Sequence, residues 1–307
     1  MPTRSLIAFT GGLDSTYVLH EELKKGHNVE VVYAYVLQGE SGRLAELTDR
    51  RRILNHFKNL FPGQIKEEWI VPHASMSIMQ MTSKRRPQLV QQYNTMNALI
   101  QVMLQNEKEI AYRPMTGWHY LDVLEHNPNE GQSEETYQLY KDIFKSLVRS
   151  MDLERVMLCN LLTPAWDVSK QEMWASLDEW TRANITVSYR LSQHEHRNRT
   201  VTLTAESTSK IDEYRKIGLS PIGGTTTHLS LLTPLDRYFL GAHANEGDGM
   251  CSIFGECKKY YTTLQPVVLG AVNLDRLEFI QKIRVKTAEI IEIVTANAPE
   301  LELVSNS

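Results

Sequence analysis

Short apolar runs alternate with amphipathic segments over the first 160 residues, and this alternation constrains the fold more than any other feature. Strands are predicted at 5–9, 28–36, 67–73, 109–117 and 155–162, with helices between them at 14–26, 42–61, 88–107 and 134–151. Strands that alternate with helices form a parallel sheet that is covered on both faces. We therefore expect a doubly wound, Rossmann-like α/β domain over residues 1–184.

The pattern changes after residue 184. Apolar and polar residues alternate at 185–191 and at 199–206, as they do in strands. A turn-rich stretch follows, and the next long helical pattern covers 273–297. We expect residues 185–307 to form a smaller C-terminal insertion or subdomain, with a β-rich segment at 185–250 and a C-terminal helix.

Composition and charge disfavour several classes of protein. The chain of 307 residues has a formal net charge of −4, which gives no general field for nucleic acid or an anionic membrane. Its apolar runs are too short to span a bilayer or to serve as a signal peptide. Three cysteines do not form a secreted disulfide framework. These features predict a cytoplasmic protein with neither a membrane nor a nucleic-acid partner.

The stretch "TGGLDST", residues 10–16, lies where the first strand turns into the first helix, and we call it the glycine loop. The start of a helix carries unpaired N–H groups and partial positive charge, so it binds anions. Gly11 and Gly12 allow close approach of phosphate oxygens, and Asp14, Ser15 and Thr16 place polar groups in the first turn. The alternative from the residues alone is a tight turn that Asp14 caps.

The glycine loop resembles the pyrophosphate loop, SGGxDS, of the N-type ATP pyrophosphatases, with Thr10 in place of the usual serine. That resemblance implies an adenine nucleotide alpha hydrolase type of fold and binding of ATP. The residues that it implies at the nucleotide are Phe9, Thr10, Gly11, Gly12, Leu13, Asp14, Ser15 and Thr16.

Later stretches are similar to one branch of that superfamily, the 7-cyano-7-deazaguanine synthases. The similarity extends to about residue 175, in the order of the family's motifs. Met96 stands where that family has arginine, and His119 where it has asparagine. The residues that carry the similarity are Tyr35, Gln38, Glu46, Asn97, Gly117, Asp122, Thr163, Pro164, Ser169, Lys170 and Glu172.

The resemblance implies an ATP-dependent carbon–nitrogen ligase that adenylates a 7-deazapurine carboxylate and transfers it to ammonia. It implies catalytic roles for Asp14, Asp122 and Lys170, with Mg²⁺ held by Asp122 and by Asp14. Tyr35 and Gly117 would complete the nucleotide site. Arg86, Asn97 and His119 would contact the substrate, Arg86 replacing the charge missing at Met96.

The substrate and zinc motifs of that family are altered here. The segment Tyr-Pro-Asp-Cys-Arg is missing after Asp122, and Cys251 and Cys257 are the remnant of a four-cysteine zinc site. A structural zinc needs four ligands, so His243 and either His228 or Cys159 would have to join them. The alternative is two ordinary thiols.

These departures leave three functions open: the ammonia-dependent synthase, an enzyme that joins the acyl group to another amine, and a nucleotide-binding sensor without turnover. The second of these functions includes transfer of the acyl group to a protein, in a modification or antiviral defence pathway. A tRNA thiolation ligase is disfavoured by the scattered cysteines and the net charge of −4. Homodimerisation is implied by the resemblance alone, and the helix at 273–297 is either its interface or a cover for the core.

Several other clusters have ordinary structural interpretations. We expect the basic run at 50–52 to be a solvent-exposed helix face, and the basic cluster at 84–87 to be solvated unless Arg85 or Arg86 binds an anion. The stretch at 194–199 is typical of a polar hairpin loop. Trp166, Trp174 and Trp180 are expected to pack rather than to stack on a ligand.

Overall fold

The computed structural model describes a defined part of the chain: residues 2–36, 42–73, 87–106, 110–119, 134–150, 160–185, 191–195, 200–203, 215, 218–219 and 272–273. The strands in these ranges are β1 (Thr3–Ala8), β2 (Val29–Val36), β3 (Ile65–His73), β4 (Ala111–Met115), β5 (Leu191–Glu195), β6 (Thr200–Leu203) and β7 (Val272–Asn273). The helices are α1 (Leu13–Lys24), α2 (Gly42–Leu60), α3 (Pro87–Asn106), α4 (Glu134–Ser150), α5 (Lys170–Ser176) and α6 (Glu179–Asn184).

Four parallel strands form the sheet, in the order β4-β1-β2-β3, and the short β7 pairs antiparallel with the outer edge of β3. Leu162 forms a parallel bridge with Met115, whose other neighbour is Ile7 of β1. The bridge therefore lies on the far side of β4, and Leu162 is the last residue of the fifth strand that was predicted at 155–162. Only residues 160–162 of that predicted strand are described.

Helices pack on both faces of the sheet, which confirms the doubly wound fold. Consecutive residues of β1 point to opposite faces, as in any strand. Ile7 belongs to a core cluster with α1, α2 and α5, whereas Leu6 belongs to a second cluster with α3 and α4. Because both faces are buried, the strands have continuous apolar runs instead of alternating patterns.

Part of the predicted β-rich segment is present as a hairpin. β5 and β6 pair antiparallel. The first strand was predicted at 185–191, but Ile185 is buried at the C-terminal end of α6 and the strand begins at Leu191. The C-terminal helix predicted at 273–297 lies outside the described residues except for Asn273, which is in β7. Within the described part of the chain, no helix has the length and apolar character required to cross a bilayer.

Candidate functional site

The glycine loop lies at the carboxyl edge of the sheet, between the end of β1 and the first turn of α1. From β1 the chain continues to β2 and β3 on one side, while β4 lies on the other side. The strand order therefore reverses between β1 and β4. In open α/β sheets, ligands bind in the crevice at such a reversal of strand order.

Hydrogen bonds within the glycine loop fix its shape. The Ser15 hydroxyl lies 3.3 Å from the backbone nitrogen of Thr10, 3.2 Å from the Thr10 hydroxyl and 3.2 Å from the Gly12 carbonyl. The backbone N–H of Gly12 points to the Thr10 hydroxyl at 3.4 Å. Gly11 has φ of +85°, a conformation that favours glycine. Hydrogen bonds among Thr10, Gly12 and Ser15 thus hold the loop in a compact conformation at the start of α1.

The first turn of α1 has no side-chain cap. Its N-cap residue is Gly12, and the carboxylate of Asp14 does not cap the helix. The turn that Asp14 caps, which was the alternative from sequence, is therefore not what the structure contains. The first four N–H groups of an α-helix have no acceptors within the helix, so this uncapped end retains its capacity to bind an anion.

Lys170 is the cation next to this turn. Its Nζ lies 2.5 Å from Oδ1 of Asp14, and Lys170 is only 4% exposed, so the solvated lysine considered from sequence is wrong. Lys170 is the first residue of α5. Ser169 and Glu172 form a capping box there, in which the Ser169 hydroxyl accepts from the Glu172 N–H at 3.2 Å and the Glu172 carboxylate accepts from the Ser169 N–H at 3.0 Å. A well-capped helix end therefore holds the lysine in place.

The loop after β4 packs directly on the first turn of α1. A Cβ added to Gly117 would lie 2.6 Å from the Ser15 nitrogen, so the two backbones meet where only glycine fits. Thr116 binds back to the sheet through its N–H and the Leu162 carbonyl, at 3.0 Å. The buried hydroxyls of Thr116 and Thr16, on the two sides of this contact, have no hydrogen-bond partner among the described residues.

His119 is buried below the surface of this loop. It is 2% exposed, and its Nε2 donates to the Val168 carbonyl at 2.7 Å, so it links the β4 loop to the segment before α5. The sequence predicted a substrate contact for His119. The observed hydrogen bond instead connects the loop after β4 to the segment before α5.

Sequence reasoning missed Arg50. The run at 50–52 was expected to face solvent, but Arg50 is fully buried, Arg51 is 5% exposed and Arg52 is only partly exposed. The Arg50 Nε donates to the Phe9 carbonyl at 3.2 Å. The helical spacing of Leu47, Arg50, Leu54 and Phe57 was the signal that places Arg50 on the buried face of α2.

Glu68 of β3 is the counterion for these arginines. Its Oε1 lies 2.7 Å from Nη1 of Arg50, and its Oε2 forms a second ion pair with Arg51. Burial works to raise the pKa of Glu68, but Arg51 and Arg50 outweigh burial and hold this pKa below its usual value. The Glu68 carboxylate is therefore ionised at neutral pH, next to Arg50.

The remaining predicted site residues lie on other elements of the fold or outside the described residues. Tyr35 belongs to the carboxyl-terminal half of β2, and Asn97 is half-buried on α3 next to Met96, which packs in the core. Among the tryptophans, Trp166 and Trp174 pack against the core clusters as predicted, whereas Trp180 is 42% exposed and stacks on His56. The candidate residues outside the described ranges are Gln38, Arg85, Arg86, Asp122, Cys159, His228, His243, Cys251 and Cys257.

The described residues contain no cluster of three or more histidine, cysteine, aspartate or glutamate side chains that could hold a metal ion. Mg²⁺ that accompanies a nucleotide needs fewer protein ligands, because it is held by one or two carboxylates together with phosphates and water. Asp14 supplies one such carboxylate, with a side chain that is 20% exposed. The donors at the glycine loop therefore fit a magnesium–nucleotide complex.

Comparisons with known proteins show little. No family model and no curated protein matches the sequence. Among solved structures, the chain is similar to a predicted subunit of tRNA methyltransferase from Methanocaldococcus jannaschii, with 13% identity and a TM-score of 0.32. The match covers 74% of this chain and 94% of the other.

Proposed function

We propose that the chain is an ATP-dependent synthase that adenylates a carboxylate, releases pyrophosphate and passes the acyl group to an amine. The observation that carries this proposal is the ion pair between the buried Lys170 and the partly exposed Asp14 at the uncapped start of α1. On the strength of the sequence resemblance, we propose 7-carboxy-7-deazaguanine as the carboxylate and ammonia as the amine.

The proposed site has the groups that a pyrophosphate leaving group requires. Unpaired N–H groups of the first helical turn, the Thr10 hydroxyl and the ammonium of Lys170 are donors that would bind anionic oxygens. Thr10, Gly12 and Asp14 are partly exposed, so a ligand can reach them. Phosphoryl chemistry depends mainly on positioning and on neutralising charge, and this set of donors provides both.

The proposed reaction has two displacements. A substrate carboxylate oxygen forms a bond to the α-phosphorus of ATP, and the bond from that phosphorus to the bridging oxygen of pyrophosphate breaks. An amine then attacks the acyl-adenylate carbon, AMP leaves, and the amine loses a proton to solvent. Bound Mg²⁺ would supply further neutralisation of phosphate charge, with Asp14 as a ligand within the described residues.

The ion pair explains how Lys170 would act on the leaving group. Asp14 pairs with the ammonium of the buried Lys170 and holds it at the first turn of α1. As pyrophosphate separates, negative charge develops on its oxygens, and a fixed cation stabilises that charge without reorganising. Lys170 would therefore contribute more to the rate than to the binding of ATP.

An activity assay with matched variants tests the proposal. Wild-type protein with ATP, Mg²⁺, ammonium and 7-carboxy-7-deazaguanine is expected to release pyrophosphate and to form an amide or nitrile, detected by product mass. Lys170→Met is expected to lower pyrophosphate release by about 100-fold or more, as removal of a preorganised donor does. Asp14→Asn should also be impaired. The control is Lys24→Met, which removes a half-exposed lysine from the other end of α1.

The outcomes separate the alternatives. Pyrophosphate that appears only when a different amine or a protein acceptor is added would favour the second acyl-transfer reaction. Binding of ATP without pyrophosphate from any carboxylate would favour a nucleotide-binding sensor. If Lys170→Met releases pyrophosphate as fast as Lys24→Met does, the proposed role of the ion pair is wrong.

A further inference from the structure

Arg50 has the largest side chain among those that are fully buried in the described part of the chain. It lies on α2, on the face that packs against the sheet together with Ile53, Leu54 and Phe57. An apolar residue at this position would fill the same space without the cost of burying a charge. The position of Arg50 therefore calls for an explanation beyond packing.

Arg50 contacts the segment around the glycine loop at two points. Its side chain donates through Nε to the carbonyl of Phe9, the residue directly before the loop. Its backbone lies against Gly11, because a Cβ on Gly11 would be 3.2 Å from Cα of Arg50. One residue of α2 thus fixes both the peptide that leads into the loop and the glycine at its bend.

The Arg50 guanidinium contacts three groups. Glu68 lies 2.7 Å from Nη1, the Phe9 carbonyl accepts from Nε, and the ring of Tyr33 lies 5.0 Å from Cζ. The hydrogen bond from Nε to the Phe9 carbonyl is the one that ties this side chain to the segment before the glycine loop.

We propose that Arg50 is a positioning residue for polyphosphate binding. By holding the Phe9 carbonyl, it sets the direction of the following peptides and so aims the N–H groups of the glycine loop at the phosphates. This inference rests on the proposed function, because it assumes that the loop binds the pyrophosphate part of ATP. Arg50 acts through the loop backbone and makes no contact with the ligand.

A positioning role predicts a selective defect. Misdirected loop amides weaken the binding of pyrophosphate and ATP, but they do not change the site of the carboxylate substrate. Arg50→Lys keeps the charge and removes the Nε donor, so we expect the Kd of pyrophosphate and the KM of ATP to rise about tenfold, as expected for the loss of one charge-assisted hydrogen bond. The KM of the carboxylate should stay unchanged.

The matched control is Arg4→Lys. Arg4 also forms an ion pair with a buried carboxylate, Glu30, but it lies at the amino end of β1, away from the glycine loop. Both variants lose an arginine–carboxylate contact and are expected to lose thermal stability. Only Arg50→Lys is expected to lose affinity for inorganic pyrophosphate, measured by isothermal titration calorimetry on folded protein.

Each outcome decides the inference. The inference is wrong if the pyrophosphate Kd of Arg50→Lys equals that of wild type. It is also wrong if the Kd rises equally in Arg50→Lys and Arg4→Lys, because Arg50 would then have only a structural role. If Arg50→Lys does not fold, Glu68→Gln replaces it, because it loosens the same guanidinium; unchanged binding there would overturn the inference. A wild-type protein that does not bind pyrophosphate would instead refute the proposed function, and this inference with it.

Discussion

The contact between Gly117 and the first turn of α1 gives the sharpest prediction about the candidate site. We consider Gly117→Ala, which adds one methyl group between the β4 loop and the glycine loop. The added Cβ would lie 2.6 Å from the Ser15 nitrogen and 2.9 Å from both the Asp14 carbonyl carbon and the Ser15 Cα. All three are backbone atoms, so no side chain can rotate to relieve the overlap.

The magnitude follows from these distances. Ordinary van der Waals contact begins at 3.4 Å, so the first turn of α1 and the β4 loop must separate by about 0.8 Å. Overpacking of this kind typically costs about 1–3 kcal/mol of stability. A misplacement of about 1 Å in a catalytic site can cost about 100-fold in rate. We therefore expect Gly117→Ala to release pyrophosphate about 100-fold more slowly, in addition to losing about 1–3 kcal/mol of stability.

The assay is pyrophosphate release at saturating ATP, together with chemical unfolding of the same preparations. Gly63→Ala is the control, because Gly63 has φ of +75° and open space around it, so alanine there costs about 1–2 kcal/mol through backbone strain alone. Gly63 precedes β3 at the opposite edge of the sheet from the glycine loop. Equal pyrophosphate release by Gly117→Ala and Gly63→Ala, at similar stability, would refute the reasoning.

Two further predictions concern the supports of the fold. Burial works to raise the pKa of Glu22, but hydrogen bonds from Ser5 and His27 help to bring it below its usual value of 4.5. Its stabilising contribution is therefore present above its usual pKa of 4.5 and is lost as the pH falls through the lowered pKa. Glu22→Gln should be less stable than wild type at pH 7, and a difference in the free energy of urea unfolding that does not shrink as the pH is lowered below 4.5 would contradict this. Ser169→Ala removes the N-cap of α5 and should lower the unfolding free energy by about 1 kcal/mol while lowering the kcat of pyrophosphate release, since Lys170 begins that helix; unchanged values in both measurements would contradict it.

The topology of the sheet was predictable because strand and helix patterns differ in period. The runs at 28–36 and 67–73 predicted β2 and β3 to within two residues of their bounds. Parallel strands joined by helices leave few possible arrangements. The segment at 185–191 was harder to assign, because a short apolar run fits a helix end as well as a strand, and Ile185 packs in the core at the end of α6.

The buried charges of the site were not predictable in the same way. A run of three arginines normally faces solvent, and nothing in the local sequence shows that Glu68, 18 positions after Arg50, supplies a counterion inside the fold. The pairing of Lys170 with Asp14 joins residues 156 positions apart. Such pairs depend on tertiary packing, whereas the glycine loop itself is a local pattern and could be recognised from the residues alone.

The distribution of charge around the glycine loop favours an anion-binding site over a simple turn. The start of α1 carries partial positive charge, and two buried cations, Arg50 and Lys170, contact the loop or its first turn. Buried like charges oppose folding unless they are compensated, and Glu68 and Asp14 provide that compensation in the free protein. A polyphosphate would add further negative charge where N–H donors are still unpaired. A turn that served only to connect β1 to α1 would need one capping side chain and neither cation.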